Sequence, residues 1–350
     1  MIMEIIRKIP ALFLTALLLA TSFAGCGGDR MSTSPSFTGA AITVVDMTGR
    51  EVIIPENVES IAYTYIGLNG YISALGKADK IAAAAYGGDF YRILHPVFEN
   101  LGTVGRGEGD MEALAQLNPD LFIQRSSMDR SINAARELGI PTIGIVSENQ
   151  DDVTALLSLL GKALGVEERA RELSDYFGQL FDMARELAGD IPDEKRKSAV
   201  FMGTRIGSVA NGDMLQSFMI ETAGGVNLAK DVKSIITEGV WPVIGTEMIF
   251  NWNPDFIFIS NHAASNYNVE TLMSEPAWAE LTAVKTKQVY RLPSELDSWE
   301  LPGLSSALGP LWMLSAMYPD KFNREQLDAQ VREFYKKAYN LDVTPELLGY

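Results

Sequence analysis

The sequence predicts an α/β protein built as two halves joined by one long helix. Three observations carry that prediction. Between residues 60 and 150, short apolar runs alternate with amphipathic segments, as strands do when interleaved with helices. From Asp151 to Gly189 the strand signals stop and only helical periodicity remains. After residue 198 the alternation resumes.

The chain opens with Arg7 and Lys8 ahead of "IPALFLTALLLA" (9–20), an apolar run shorter than the ~20 residues a membrane span needs. Small residues follow, ending in Ala24-Gly25-Cys26, so residues 1–25 read as an export signal. Cys26 is the only cysteine, which excludes an internal disulfide and a Cys-x-x-Cys pair. With only His95 and His262 elsewhere and no packed surroundings to set its pKa, a nucleophilic role is disfavoured. Its position resembles a bacterial-type lipobox, cleaved before a cysteine that carries lipid, with Phe23 where that pattern has leucine. The plainer alternatives are an ordinary signal peptide with an incidental cysteine, or an uncleaved anchor. Residues 26–40, rich in Gly, Ser, Thr and Pro, read as a flexible tether to a body outside the cytoplasmic membrane.

"AITVVDMTGREVIIP" (41–55) reads as a β-hairpin, two β-rich runs about a turn containing Thr48 and Gly49. Buried strands are expected at 60–65, 80–86, 120–124 and 141–146, and helices at 67–76, 89–99, 110–118 and 129–138. Such alternation implies a mostly parallel sheet flanked by helices, giving a first lobe over 41–150. In the linking region, 151–190, "DDVTALLSLLGKALG" is amphipathic and ends at Gly165. Leu173, Phe177, Leu180, Ala184 and Leu187 then recur at spacings of three and four, predicting a helix from Glu167 to Ala188 about 33 Å long at ~1.5 Å per residue. The second lobe, 191–350, shows strands at 198–203, 255–260 and 288–293, and helices at 213–223, 246–252, 270–281 and 305–317. A final helix over 324–340 places Leu327, Val331, Phe334, Tyr335 and Ala338 on one face.

With 47% apolar and 21% charged residues, the chain can bury an ordinary globular core. Its net charge of −16 argues against nucleic-acid binding and against lying flat on anionic lipid, and suits a basic partner. "GRGEGD" (105–110) lacks the spacing and the lysine of a phosphate loop and reads as a turn before a helix. "TAGG" (222–225) reads as a helix end.

The halves share a phrase: "MEALAQLNPDLFIQ" (111–124) and "TEMIFNWNPDFIFIS" (246–260). In each, a glutamate stands seven residues before the proline of Asn-Pro-Asp, which leads into an apolar strand. The residue before proline leaves the helical region, Pro-Asp turns the chain, and a buried strand begins. The identity points to two lobes of like build.

These features together resemble the substrate-binding proteins of ATP-binding-cassette importers, in the iron-siderophore, haem and cobalamin class. The resemblance runs from about Ile42 to Tyr350. It rests on "VVDMTGREVIIPENVESIA", "DMEALAQLNPDLFI", "RELGIPTIGI", "ETAGGVNLA", "PVIGTEMIFNWNPDFIFIS", "EPAWAELTAVKTKQVYRLP" and "LGPLWMLSAMYPDKF", in that order. It implies two Rossmann-like lobes on a single long helix, the class III periplasmic-binding-protein fold. It also implies a monomer without cofactor or catalysis, partnered by a permease and its ATPase. The family docks on its permease through one acidic residue per lobe, and Glu112 and Glu247 match those positions.

A two-lobed binder holds its ligand where the strand ends of both halves face each other. Candidates are Tyr65 (with Tyr63 on the same strand), Tyr86 and Arg125 after first-lobe strands, and Arg92 (with Tyr91) in a nearby helix. In the second lobe they are Arg205, Trp241, His262 (with Tyr267 close by) and Trp299. Guanidinium forks with tyrosine and tryptophan suit an anionic, partly flat ligand. A ferric siderophore, haem or cobalamin fits, and a molybdate or tungstate oxyanion is the alternative. Two histidines and no cysteine in the body disfavour a bare zinc or manganese ion. Two other classes compete: a ligand-sensing receptor subunit, and an enzyme or chelatase, for which no nucleophile-base-acid grouping is visible.

Overall fold

A computed structural model describes residues 39–85, 88–233, 241–262, 265–294 and 296–350. The export signal, Cys26, nearly all of the tether, and Tyr86 lie outside the described residues. The hairpin forms as expected from β1 (Ala41–Val45) and β2 (Glu51–Pro55), antiparallel with Val45 opposite Glu51. Its turn is organised by Asp46, whose Oδ1 accepts from the Thr48 amide and hydroxyl and the Arg50 amide. Oδ2 accepts from the Gly144 amide at 2.9 Å, so one buried carboxylate fastens the hairpin to the first sheet. Burial alone would raise this group's pKa, but the hydrogen bonds from Thr48, Arg50 and Gly144 outweigh it and hold the carboxyl below its ordinary range.

The first sheet contains β3 (Ile61–Tyr63), β4 (Ile81–Ala83), β5 (Leu121–Arg125) and β6 (Thr142–Ile145), all parallel, in the order β4-β3-β5-β6. Its helices are α1 (Leu68–Ala74), α2 (Asp89–Leu94), α3 (Met111–Leu117) and α4 (Asp129–Glu137). β3 and β6 are buried at every residue, which explains their continuous apolar runs: helices cover both faces of a parallel sheet. The helix expected over 89–99 is shorter. Pro96 drives His95 into extended backbone (φ −155°, ψ 134°), and only a 3-10 turn, Pro96–Glu99, follows.

Two helices then link the sheets, α5 (Gln150–Ala163) and α6 (Glu167–Ala188). Gly165 between them adopts φ +64°, a left-handed turn that glycine makes without cost. The long helix occupies the predicted residues and buries Leu173, Phe177, Leu180 and Ala184, together with Tyr176 and Phe181.

The second sheet contains β7 (Ser198–Met202), β8 (Val226–Asn227), β9 (Phe256–Ile259) and β10 (Val289–Arg291), again all parallel, in the order β10-β9-β7-β8. Its helices are α7 (Leu215–Thr222), α8 (Thr246–Trp252), α9 (Val269–Ser274), α10 (Thr282–Lys285) and α11 (Leu308–Met317). Counting strands within each lobe, both sheets run 2-1-3-4. The shared phrase is therefore a shared topology.

Its details repeat as well. Asn118 and Asn253 end α3 and α8 in the left-handed region, at φ 45° and 46°. Asp120 Oδ2 accepts from the Ser60 amide, and Asp255 Oδ2 from the Ser198 amide, each at the foot of the neighbouring strand. Both serine hydroxyls return the bond by accepting from the aspartate amide. Asn-Pro-Asp thus stops a helix, turns the chain and pins two parallel strands in register.

The closing helices, α12 (Arg324–Tyr339) and α13 (Pro345–Leu348), do not stay with the second lobe. Tyr335 and Tyr339 of α12 pack edge-on against Phe90 of α2, with ring centroids 5.8 and 5.6 Å apart. Arg169 of α6 donates to the carbonyls of Ala74 at the end of α1 and of Lys337 and Ala338 on α12. The largest buried cluster runs unbroken from Val44 to Leu348, and all described residues fall in one compact unit. Among the described residues no helix is long and apolar enough to cross a membrane.

Candidate functional site

Parallel sheets direct their strand ends to one side, and there a cleft of about 1050 Å³ opens between the lobes. The first-lobe wall is Tyr65, two residues past β3; Arg125, the last residue of β5; and Ser147 and Glu148, just past β6. Facing it are Thr204 past β7, Ser260 and His262 past β9, Trp241, the stretch 211–216 at the start of α7, residues 230–233 past β8, and 300–302. A second cavity, about 450 Å³, is lined by Tyr290, Arg291, Trp312, Arg324 and Tyr350. Arg324 there is held by Asp328 and the Tyr350 carbonyl. It draws on one lobe's side chains only, so the interlobe cleft is the candidate site.

Side chains in the cleft are braced. Arg125 pairs with Glu148, and its guanidinium lies 5.3 Å from the centre of the Tyr65 ring. The Tyr65 hydroxyl stands 3.4 Å from Ser147 Oγ, which donates across the lobes to the Pro302 carbonyl at 3.2 Å. Trp241 rests on Gly203, where a Cβ would come within 2.7 Å of the indole, so the backbone after β7 must be glycine for the ring to lie there. Lys230 pairs with Glu221, and the Glu221 carboxylate raises the lysine's pKa.

At the base of the cleft lies a buried acid. Glu300 is 3% exposed; its Oε1 is 2.5 Å from Ser260 Oγ and its Oε2 accepts from the Asn261 amide at 3.1 Å. Burial pushes its pKa up to about 7, against the Ser260 and Asn261 hydrogen bonds and the Arg291 charge, which pull it down.

Of the residues proposed from sequence, Tyr65, Arg125, Trp241 and His262 come together on the cleft wall. The others do not. Arg92 is exposed on α2 and pairs with Asp89 one turn earlier, at 2.6 Å. Arg205 is exposed, and it is its neighbour Thr204 that lines the cleft. Trp299 has no exposed surface: its indole donates to the Tyr335 hydroxyl at 3.0 Å, inside the core. The cleft residue is the next one, Glu300. Tyr63 and Tyr267 are likewise buried, donating to Asn69 and to the Gly203 carbonyl. Tyr91 packs against Phe90 and Phe98 outside the cleft lining.

Sequence reading missed Asn211, Asp213, Gln216, Lys230, Asp231, Lys233 and Glu300 on the wall. Lys230 to Lys233 follow β8, a two-residue strand whose "VN" gives no periodic signal. The 211–216 stretch follows no named strand; it leads into and opens α7, which the strand-end rule does not cover. Glu112 and Glu247 are exposed, each the second residue of its helix, α3 and α8. Among the described residues no group of three or more His, Cys, Asp or Glu is placed to hold a metal ion.

Comparison with known proteins agrees with this architecture. A family model described as periplasmic binding protein matches residues 61–296. The molybdate-binding protein MolA of Haemophilus influenzae is 23% identical over 97% of this chain and 99% of its own. The Fe(3+) dicitrate-binding periplasmic protein FecB of Escherichia coli is 26% identical over 65% of this chain and 75% of its own. Among solved structures, a periplasmic solute binding protein from Veillonella parvula superposes with a TM-score of 0.76 at 26% identity, covering 89% of this chain and 96% of that one. Molybdate-bound MolA superposes with a TM-score of 0.74 at 20% identity, covering 87% and 99%.

Proposed function

The chain belongs to the periplasmic binding protein family, and on that footing we propose that it captures an oxygen-rich, metal-carrying anion outside the cytoplasmic membrane and hands it to the permease of an ABC importer. The observation that carries this reading is the cleft itself. It draws walls from both lobes and presents Arg125, Lys230 and Lys233 among the polar side chains of Ser147, Thr204, Asn211, Gln216 and Ser260. That set suits carboxylate or oxo groups arranged around a metal. At about 1050 Å³ the cleft sits at the upper end of ligand sites, which favours a ferric chelate of the citrate or siderophore kind. A molybdate or tungstate oxyanion is the second reading, favoured by the near full-length match to MolA.

The test is a thermal-shift panel of ferric citrate, a ferric siderophore, haem, cobalamin, molybdate, tungstate and sulfate. A ligand at about a hundredfold its Kd should add ~2.7 kcal/mol of stability. A response to a ferric chelate supports the first reading, and a response to molybdate or tungstate alone supports the second. Silence across the panel overturns both.

Delivery rests in this reading on Glu112 and Glu247, exposed carboxylates at matching places on the two lobes, able to pair bidentately with permease arginines. The double variant E112A/E247A is expected to bind ligand with unchanged affinity and to lose uptake in cells. Normal uptake would remove the docking claim. Anchoring is assigned to Cys26: C26A should abolish palmitate labelling and release the protein from membranes.

A further inference from the structure

We propose that Glu300 and Ser260 form a proton-set hydrogen-bond donor at the base of the cleft, so that an anionic ligand is taken up together with one proton. The inference rests on the anion-binding reading above and names a residue pair for it. Ser260 Oγ lies 2.5 Å from Glu300 Oε1 and also accepts from the His262 amide at 3.1 Å. Both residues line the cleft.

The two protonation states leave the serine hydrogen in different places. With Glu300 ionised, the Ser260 hydroxyl donates to the carboxylate, and the cleft floor presents a buried negative charge. With Glu300 protonated, the carboxylic acid donates to Ser260 Oγ, which already accepts from the His262 amide. The serine hydrogen is then released to turn toward the ligand. One proton thereby removes a charge that repels an anion and supplies a donor that binds it. The balance of the wall makes that charge decisive: Arg125, Lys230 and Lys233 face Glu148, Asp213, Asp231 and Glu300, so the acids outnumber the permanent cations by one.

Several groups surround Glu300 and must be separated from it. Arg291 of β10 attracts its ionised form. Tyr267 faces it from the turn before α9. His262 shares its wall, and Asp297 lies three residues earlier on the same loop, buried and with its own pKa raised by burial to about 7. Arg125 and Glu148 stand on the opposite wall as a pair.

Titration calorimetry of the full chain in detergent, with molybdate as probe (or ferric citrate, if only that binds), decides the matter. Because only the protonated fraction binds, and half-titration falls at about 7, affinity should be about tenfold higher at pH 6 than at pH 8. At pH 8, buffers of different ionisation enthalpy should report about one proton taken up per anion. In E300Q the amide donates to Ser260 permanently, so affinity should stay at the pH 6 level and the proton uptake should vanish. S260A should bind more weakly and keep only the part of the slope that comes from removing the Glu300 charge. H262Q and D297N should keep it. A wild-type protein that binds the probe equally at both pH values overturns this inference and leaves the anion reading standing, as does a slope that survives E300Q or disappears in H262Q. No binding at either pH overturns both.

Discussion

Trp299, proposed from sequence as a ligand contact, instead belongs to a buried relay. Its indole donates to the Tyr335 hydroxyl, which donates to Asp297 Oδ2 at 3.1 Å. Burial raises the Asp297 pKa to about 7, although the hydrogen bonds from Tyr335 and Ser305 draw it down. A carboxyl whose folded pKa lies above its unfolded value of 3.8 binds more protons folded than unfolded in the window between. The contribution of this carboxyl to stability is therefore whole at or below about pH 4, falls as pH rises toward 7, and levels off above, at about 1.4 kcal/mol per unit within the window. Glu300 adds a second slope over nearly the same range. Denaturation in urea at pH 5 and pH 8 should show a protein several kcal/mol more stable at pH 5. D297N should remove about half of that difference, and a D297N protein with the full wild-type slope would refute the assignment.

At the scale of elements, Asn-Pro-Asp is where sequence and structure meet most closely. Both asparagines take the left-handed conformation, which alanine occupies at a cost of about 1–2 kcal/mol. Asn253 does more than Asn118: its Oδ1 accepts from the Thr282 amide at 2.8 Å, capping α10. N118A should lose about 1 kcal/mol in urea unfolding, and N118G close to none. N253A should lose about 1 kcal/mol more than N118A, and N253G should keep that extra loss, since glycine restores the backbone but not the cap. Equal stability of N253G and wild type would show the cap to be idle. These units were legible because local rules govern them: proline restricts its predecessor, asparagine tolerates positive φ, and buried parallel strands read as apolar runs. The strand-end rule placed Tyr65, Arg125 and His262 on the cleft wall for the same reason. It failed at Trp299 and Glu300, adjacent residues on a loop whose facing is decided by Tyr335, 36 residues later, and by Ser260, 40 residues earlier. No local pattern encodes which of two neighbours turns inward.

At the scale of the molecule, the picture of two lobes on one stiff helix is incomplete. α6 is joined by α12, by Arg169 bonding to three carbonyls, and by the Ser147–Pro302 bond across the base of the cleft. Any closing rotation of one lobe on the other has to break or shift these bonds. All five tryptophans, Trp241 through Trp312, lie in the second half of the chain. Their fluorescence therefore reports that lobe, while far-ultraviolet circular dichroism reports both. The two signals should follow one urea transition, because the largest buried cluster spans both lobes. Two separated transitions would mean that the lobes melt apart.

The return of α12 to the first lobe also bears on how the protein is made. Residues 61–145 leave the ribosome long before residues 324–339, yet Phe90 finds part of its aromatic cage only in Tyr335 and Tyr339. The earliest-made lobe completes this part of its core only when almost the last segment has been synthesised. A nascent chain left open in this way remains threadable, the condition a polypeptide must keep if it is to cross a membrane before it folds.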